Sequence, residues 1–339
     1  MRVLQYVPEL QKHGYDVEVL PLFDDQYLND KYQNLRVSIF KIAKCYLQRI
    51  YNLRKIKKRK IIMIEKELFP YLPATVERFL KLFGFKYIVD YDDAIFHNYD
   101  DSKNPFFRIF FRNKIDVVMK NASVVICGNS YLRVRAIKAG SNNTVLIPTV
   151  VDILRYPKKD NFFNFNNITI GWIGSPSTQK YIEKLSAPIS KFLKNNNGSL
   201  LVIGAHESIK TFFPEINIIV KPWSEELEVQ YIMQMDIGIM PLIDSNWEQG
   251  KCGYKLIQYM ACGIPVIASP VGVNKKIVTD SSSGILANKL DEWDSCFEDI
   301  ISSNKRFKNF SKSGRQAVNN YYELKVQTKA LVKAFQSSI

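Results

Sequence analysis

Lys251, Tyr254, Lys255 and Gln258 recur at i, i+3, i+4 and i+7, so a helix through them shows all four on one face. Leu256, Ile257, Met260 and Ala261 form an apolar stripe on another face of the same helix. Gly263 is placed to end it, because glycine enters positive φ without a Cβ clash. Residues 265–268 then read as a core strand, and Pro270 with Gly272 turns the chain out of it. The polar face is expected to look toward a cleft at the helix N-terminus, where backbone N–H groups and the helix dipole favour an anion. Two lysines aimed at that place make a phosphate-handling arrangement.

Other residues of chemical interest sit at expected strand ends. GWIGSPSTQKYI (171–182) ends a strand at Gly174, ahead of Ser175, Ser177, Thr178 and Lys180. The hydroxyls either cap the next helix or hold a phosphate oxygen, with Lys180 adding charge. The dinucleotide fingerprint G-x-G-x-x-G is absent. VIGAHE (202–207) ends a strand at Gly204, and KPW (221–223) follows, where a base could stack on Trp223 or Trp223 could be purely structural. VDYDDAIF (89–96) supplies Asp90, Asp92 and Asp93, and IEKELFP (64–70) supplies Glu65, Lys66 and Glu67. Carboxylates there suit hydrogen bonds to sugar hydroxyls, or proton transfer. Asp92 and Asp93 would also suit a divalent cation, but lysines at a diphosphate remove the need, so neither a metal nor a cofactor is expected.

These residues need elements to hold them. At 339 residues the chain suggests about two domains, each with its own core. No apolar run reaches the roughly 18 residues of a membrane span, and the N-terminus does not resemble a signal peptide. Five cysteines without paired spacing argue for a reducing compartment, the cytoplasm. The net charge of +14 is uneven: residues 1–150 carry +10 and the remainder +4. Residues 36–60 hold ten basic side chains and no acidic one. Such a block attracts phosphates of lipid head groups or of nucleic acid.

In chain order, residues 2–13 read as a helix and 17–22 as a strand. Residues 36–60 show a helical period with a basic face, suited to an anionic membrane or to ordinary packing on a sheet. Strands are expected near 61–64, 87–91, 123–127 and 145–148, with helices between. PFFRIFFRNK (105–114) is partly core, and the rest could grip a lipid chain while its arginines hold head groups. After an asparagine-rich linker (154–167), strands are expected at 168–173, 199–203, 216–220, 236–240, 265–268 and 284–287. This alternation is an α/β pattern of two doubly wound domains, 1–153 and 168–312, with a ligand cleft between them at the strand carboxyl ends. A lysine-rich helix (313–339) closes the chain and is expected to return to the first domain.

KLIQYMACGIPVIASPVGV, together with NTVLIPTVVD, ASVVICGNSYL, DIGIMPL and the GWIGSPST loop in the same order, resembles the GT-B-fold glycosyltransferases of the family-4 type (glycosyltransferase group 1). Members from bacterial surface-polysaccharide and O-antigen clusters are the most similar. The resemblance implies two Rossmann-like domains and a retaining, metal-free transfer from a nucleotide-diphosphate sugar. The family pattern keeps two glutamates eight residues apart, which here fall on Gly250 and Gln258, with Glu248 two residues out of register. Gln258 inherits the ribose contact, and Glu248, Cys252 or Gly253 the sugar contact. An arginine of many relatives is Ser175 here, and Asp92 stands where many place a histidine. Relatives begin with a strand and a glycine- or serine-rich loop ahead of the first helix. A chain starting in that helix is expected to lack the first strand of its N-terminal domain.

The resulting expectation is a glycosyltransferase peripheral on the inner face of the cytoplasmic membrane. It moves a sugar from a uridine-linked donor to a polyprenyl-diphosphate-linked saccharide. Lys255, Lys251 and Asp92 are the catalytic candidates. Gly174, Ser175, Thr178, Lys180, Gly204, Trp223, Glu248, Cys252, Gly253, Tyr254 and Gln258 are the donor-binding ones. A catalytically inactive relative and a nucleic-acid-binding protein are the alternatives.

Overall fold

The computed structural model describes residues 2–24, 26–27, 30, 38–57, 60–159 and 167–338. Among these residues the chain builds two parallel sheets, each flanked by helices. The first has β1 (Ile62–Glu65), β2 (Tyr87–Tyr91), β3 (Val124–Cys127) and β4 (Thr144–Leu146), paired in that order. The second has β5 (Thr169–Ile173), β6 (Ser199–Ile203), β7 (Asn217–Lys221), β8 (Ile237–Met240), β9 (Val266–Ala268) and β10 (Gly284–Leu286). Its order is β10-β9-β8-β5-β6-β7, all parallel. Every residue of β2, β3, β6, β8 and β9 is buried, as strands covered by helices on both faces require.

The strand order of the second sheet reverses between β5 and β8. At such a point the two following loops diverge and open a crevice at the carboxyl ends. The loop after β5 carries Gly174 and Ser175, and the chain after β8 leads to Glu248 and Lys251. Both therefore arrive at one place.

Residues 17–22, expected as a strand, join no sheet. Val17 packs against the core beside Tyr15, but Val19 is half exposed, so the segment lacks a continuous apolar face to add to a sheet. The first expected helix is a 3-10 turn, Leu4–Tyr6, followed by the helix Val7–Lys12. Of the basic block, the helix Ile39–Arg54 is described, while Arg36, Lys58 and Arg59 lie outside the described residues, as do 160–166 of the linker. The stretch before them is packed: Tyr156 is buried, and Lys159 pairs with Asp236 at 2.7 Å.

The C-terminal helix Leu324–Ser338 follows a π-helical turn, Val318–Tyr322. Its Leu324, Leu331, Ala334 and Phe335 pack with Ile88, Val124 and Ile126 of the first sheet and with Leu10. The C-terminal helix thus returns to the first domain, and that crossing links the two domains. Arg2 strengthens the same region: its buried guanidinium pairs with Asp90 at 2.8 Å and donates to Thr149 and Ile147.

Candidate active site

The helix Tyr254–Ala261 packs Leu256, Ile257, Met260 and Ala261 into the core, as their spacing requires. Its Tyr259 hydroxyl accepts from the Ile173 N–H at 3.0 Å, tying the helix to the end of β5. Gly253 caps the N-terminus with φ of 69°, the left-handed region that favours glycine. The first N–H groups of the helix have no partner within it and face outward along its axis.

The loop leading into this helix is gripped from both domains. Asn129 donates through one amide nitrogen to the carbonyls of Gly250 (2.8 Å) and Lys251 (3.0 Å). Its oxygen accepts from Leu132 N–H at 3.0 Å, so the amide is fixed at both ends. A Cβ on Gly250 would overlap Ala94, and one on Gly128 would overlap the Cys252 sulfur. Asn129, Gly128 and Ala94 belong to the first domain, so the cleft is closed against this loop. Pattern reading missed Asn129 because an Asn before Ser-Tyr-Leu is explained by helix capping alone.

Lys255 is half-buried with its Nζ 4.7 Å above the Trp172 ring, and no carboxylate among the described residues pairs with it. Burial, helped by the charge of Lys251, pushes its pKa down to about 7. Lys255, held beside a second cation and with no carboxylate of its own, favours an incoming anion. Lys251 also acts across the cleft on Asp93. Burial and the neighbouring Asp92 raise the Asp93 carboxyl, while Lys251 and Lys66 pull it down. Asp92 pairs with Lys66 at 3.3 Å. A row of charges thus runs from Lys66 through Asp92 and Asp93 to Lys251 and Lys255. It joins the ends of β1 and β2 to the helix of the second domain.

The remaining candidates occupy two further positions. Ser175 and Thr178 cap each other: Ser175 N–H donates to Thr178 Oγ1 at 3.0 Å and Thr178 N–H to Ser175 O at 2.9 Å. Their hydroxyls are thus engaged in the turn Pro176–Thr178. Gly174 and Gly204 lie side by side, where a side chain on Gly204 would overlap the Gly174 carbonyl. Lys180 lies over the Tyr181 ring at 5.2 Å. Glu248 is buried and accepts hydrogen bonds from Tyr181 and Ser245. Burial raises its pKa, but these bonds outweigh burial and hold it below the ordinary range. Its carboxylate is therefore ionised and occupied by the protein's own donors.

Gln258, expected on the open polar face, is only 2% exposed. Its amide donates to Tyr156 Oη at 3.1 Å. Tyr156 in turn donates to Glu228 at 3.2 Å, and Trp223 Nε1 donates to the other Glu228 oxygen at 2.9 Å. One buried carboxylate thus organises Trp223, Tyr156 and, through Tyr156, Gln258. Glu228 went unnoticed in the sequence because it lies in the acidic run Ser-Glu-Glu-Leu-Glu, which reads as an exposed turn. Trp223 and Tyr254 remain partly open, at 39% each, and form the accessible aromatic surface of this corner. No group of three His, Cys, Asp or Glu able to hold a metal occurs among the described residues.

Two parallel-sheet domains, with a cation-lined helix N-terminus at the switch point of the second, define a two-domain α/β protein with an anion-attracting site. Residues 167–302 match the family glycosyl transferases group 1. The second domain is therefore a group 1 glycosyltransferase domain, and the chain is a glycosyltransferase with the GT-B fold. It is similar to a glycosyltransferase from Rickettsia africae (TM-score 0.70, 14% identity, 99% of this chain and 93% of that one). It is also similar to Anabaena HepE in complex with UDP-glucose (0.68, 14%, 98% and 89%). WaaG, a glycosyltransferase involved in lipopolysaccharide biosynthesis, matches as well (0.67, 10%, 96% and 93%). At these identities the likeness carries the fold. No protein of curated function matches the sequence.

Proposed function

We propose that the chain is a retaining glycosyltransferase that moves a sugar from a nucleotide-diphosphate donor, uridine-linked, to a lipid-linked saccharide. The observation that carries the donor reading is Lys255, which stands beside Lys251 at the N-terminus of Tyr254–Ala261 and has no resident carboxylate. A uridine donor is supported by the similarity to a protein solved with UDP-glucose. The similarity to WaaG supports a role in surface-polysaccharide assembly, such as O-antigen, at the cytoplasmic face of the membrane.

In this reading the donor diphosphate lies against the first N–H groups of the helix, with Lys251 and Lys255 neutralising it. The bond between the anomeric carbon and the β-phosphate oxygen breaks, and the electron pair stays on the phosphate. The lysines and the helix dipole stabilise that charge as it develops, which is electrostatic catalysis by groups already in place. The acceptor hydroxyl attacks from the same face and passes its proton to a leaving-phosphate oxygen, so configuration is retained. Asp92 orients the sugar or the acceptor. Cys252 and Gly253 backbone groups contact the transferred sugar, and Trp223 and Tyr254 line the nucleoside side.

Lys255→Ala tests this. UDP-sugar turnover falls at least tenfold while the circular-dichroism spectrum stays native. Unchanged kinetics would remove Lys255 from the donor site. A wild-type chain that binds UDP but transfers and hydrolyses no sugar would make it a binding protein instead.

A further inference from the structure

Two helices of the first domain leave large apolar side chains in solvent. The helix Ile39–Arg54 has no fully buried residue, and its outer face shows Phe40 (87% exposed), Leu47 (67%), Ile50 and Tyr51. The helix Pro105–Phe111 shows Phe106 (75%), Ile109 (67%) and Phe110 (79%), at i, i+3 and i+4. Such a stripe normally faces a core. Here the core takes the opposite side of the helix, through Phe107 and Phe111.

The two helices share one flank. Tyr46 donates to the Pro70 carbonyl at 2.7 Å and packs its ring on Phe69. The next residue, Tyr71, sets its ring 6.0 Å from that of Phe107. The turn 69–72 therefore sits between the helices and adds exposed Tyr71 and Leu72 to the same surface. Lys44, Arg54, Lys55, Arg108 and Arg112 rim it, and none has a carboxylate partner among the described residues. No acidic residue occurs within 38–57 or 102–115.

We infer that this flank is a membrane-docking face, which seats the protein on an anionic lipid bilayer with Phe106, Ile109, Phe110, Phe40 and Leu47 in the head-group and acyl boundary. The reading rests on the proposed lipid-linked acceptor and deepens it by naming the contact surface. Unpaired cations around an apolar centre complement anionic head groups over a hydrocarbon layer, the pattern of helices that lie in an interface. A nucleic acid would use the cations and stack on the aromatic rings, but it would leave the aliphatic Leu47, Ile50, Leu72 and Ile109 wet. The face borders the cleft: the turn 69–72 follows the end of β1 by a few residues, shortly after Lys66, which pairs with Asp92. A docked molecule would thus hold its acceptor side next to the bilayer. No helix among the described residues is long and apolar enough to cross a membrane, so the contact is peripheral.

The test is flotation of the full chain with vesicles of phosphatidylglycerol and phosphatidylcholine, against phosphatidylcholine alone. The wild type binds the anionic vesicles preferentially. Arg108→Glu with Arg112→Glu lowers binding about tenfold or more. Phe106→Ser with Phe110→Ser lowers it similarly, and that loss persists in high salt because it is apolar. Each variant is also checked for UDP-induced thermal stabilisation, which reports the fold and the donor site independently. Vesicle binding that neither double variant weakens overturns the face, as does tighter binding to a single-stranded oligonucleotide than to the vesicles. Variant-sensitive vesicle binding without a UDP response upholds the face and removes the donor reading instead.

Discussion

Each domain buries one lysine of consequence, and the two are treated in opposite ways. In the first domain Lys114 is 4% exposed, paired with Glu67 and bonded to the Phe69 carbonyl and to Tyr99 Oη at 3.2 Å. In the second, Lys255 is half-buried and has only the Trp172 ring and a second lysine for company. Burial lowers both pKa values, but at Lys114 Glu67 acts in the opposite direction. A lysine with a resident counter-ion completes the structure. One kept from water without a counter-ion is stored affinity for an anion, and it costs stability until that anion arrives.

The largest expected effect would break this contrast from the structural side. Lys114→Ala leaves the enclosed Glu67 carboxylate without its cation, held by the Tyr99 hydroxyl alone, and should cost about 3–5 kcal/mol, read as a lower urea midpoint. Lys255→Ala should do the reverse: turnover falls at least tenfold, and the thermal midpoint of the unliganded protein stays level or rises. If both variants lost stability equally, the two lysines would be alike and the contrast would fail.

Asn129→Ala should come next. It removes two hydrogen bonds between the domains, about 1–3 kcal/mol together, and is expected to raise the donor KM several-fold. Small-angle scattering should show a larger radius of gyration in the variant. An unchanged radius would mean that the C-terminal helix alone sets the closure.

The smallest effect concerns pH. Unliganded Lys255 loses its proton near pH 7, and a bound diphosphate raises that value. UDP affinity should therefore weaken as pH rises above about 7, by at most tenfold per unit, and Lys255→Met should flatten the profile. In the unliganded protein the sign reverses. The folded pKa lies below the unfolded one, so the unfolded chain holds more protons between pH 7 and about 10. Stability should rise across that window in the wild type and rise less in Lys255→Met.

The second domain was the more legible of the two. Its strands lie within a residue or so of their expected places, because buried parallel strands are short apolar runs and glycines mark their ends. Residues 17–22 show the limit of that signal. The alternation is present, but Val19 stays half exposed and the segment pairs with neither edge of the first sheet, an outcome that no local reading can supply. Gln258 shows another. Its spacing put it on the polar face, but Tyr156, a hundred residues away, folds over and takes its amide. Glu228 and Asn129 are a third kind, polar residues whose local contexts already explain them.

The sequence by itself determined the two α/β units, the helix that carries Lys251 and Lys255, and the excess of charge in the first half. Those follow from spacing and composition, which act over a few residues. Only the tertiary structure decided which charges have partners. It gave Lys114 a carboxylate and left Lys255 without one. It spent Glu248 on Tyr181 and Ser245, and turned the apolar stripe of residues 105–111 outward. Pairing and burial depend on what the rest of the chain brings alongside, at separations that no local pattern records.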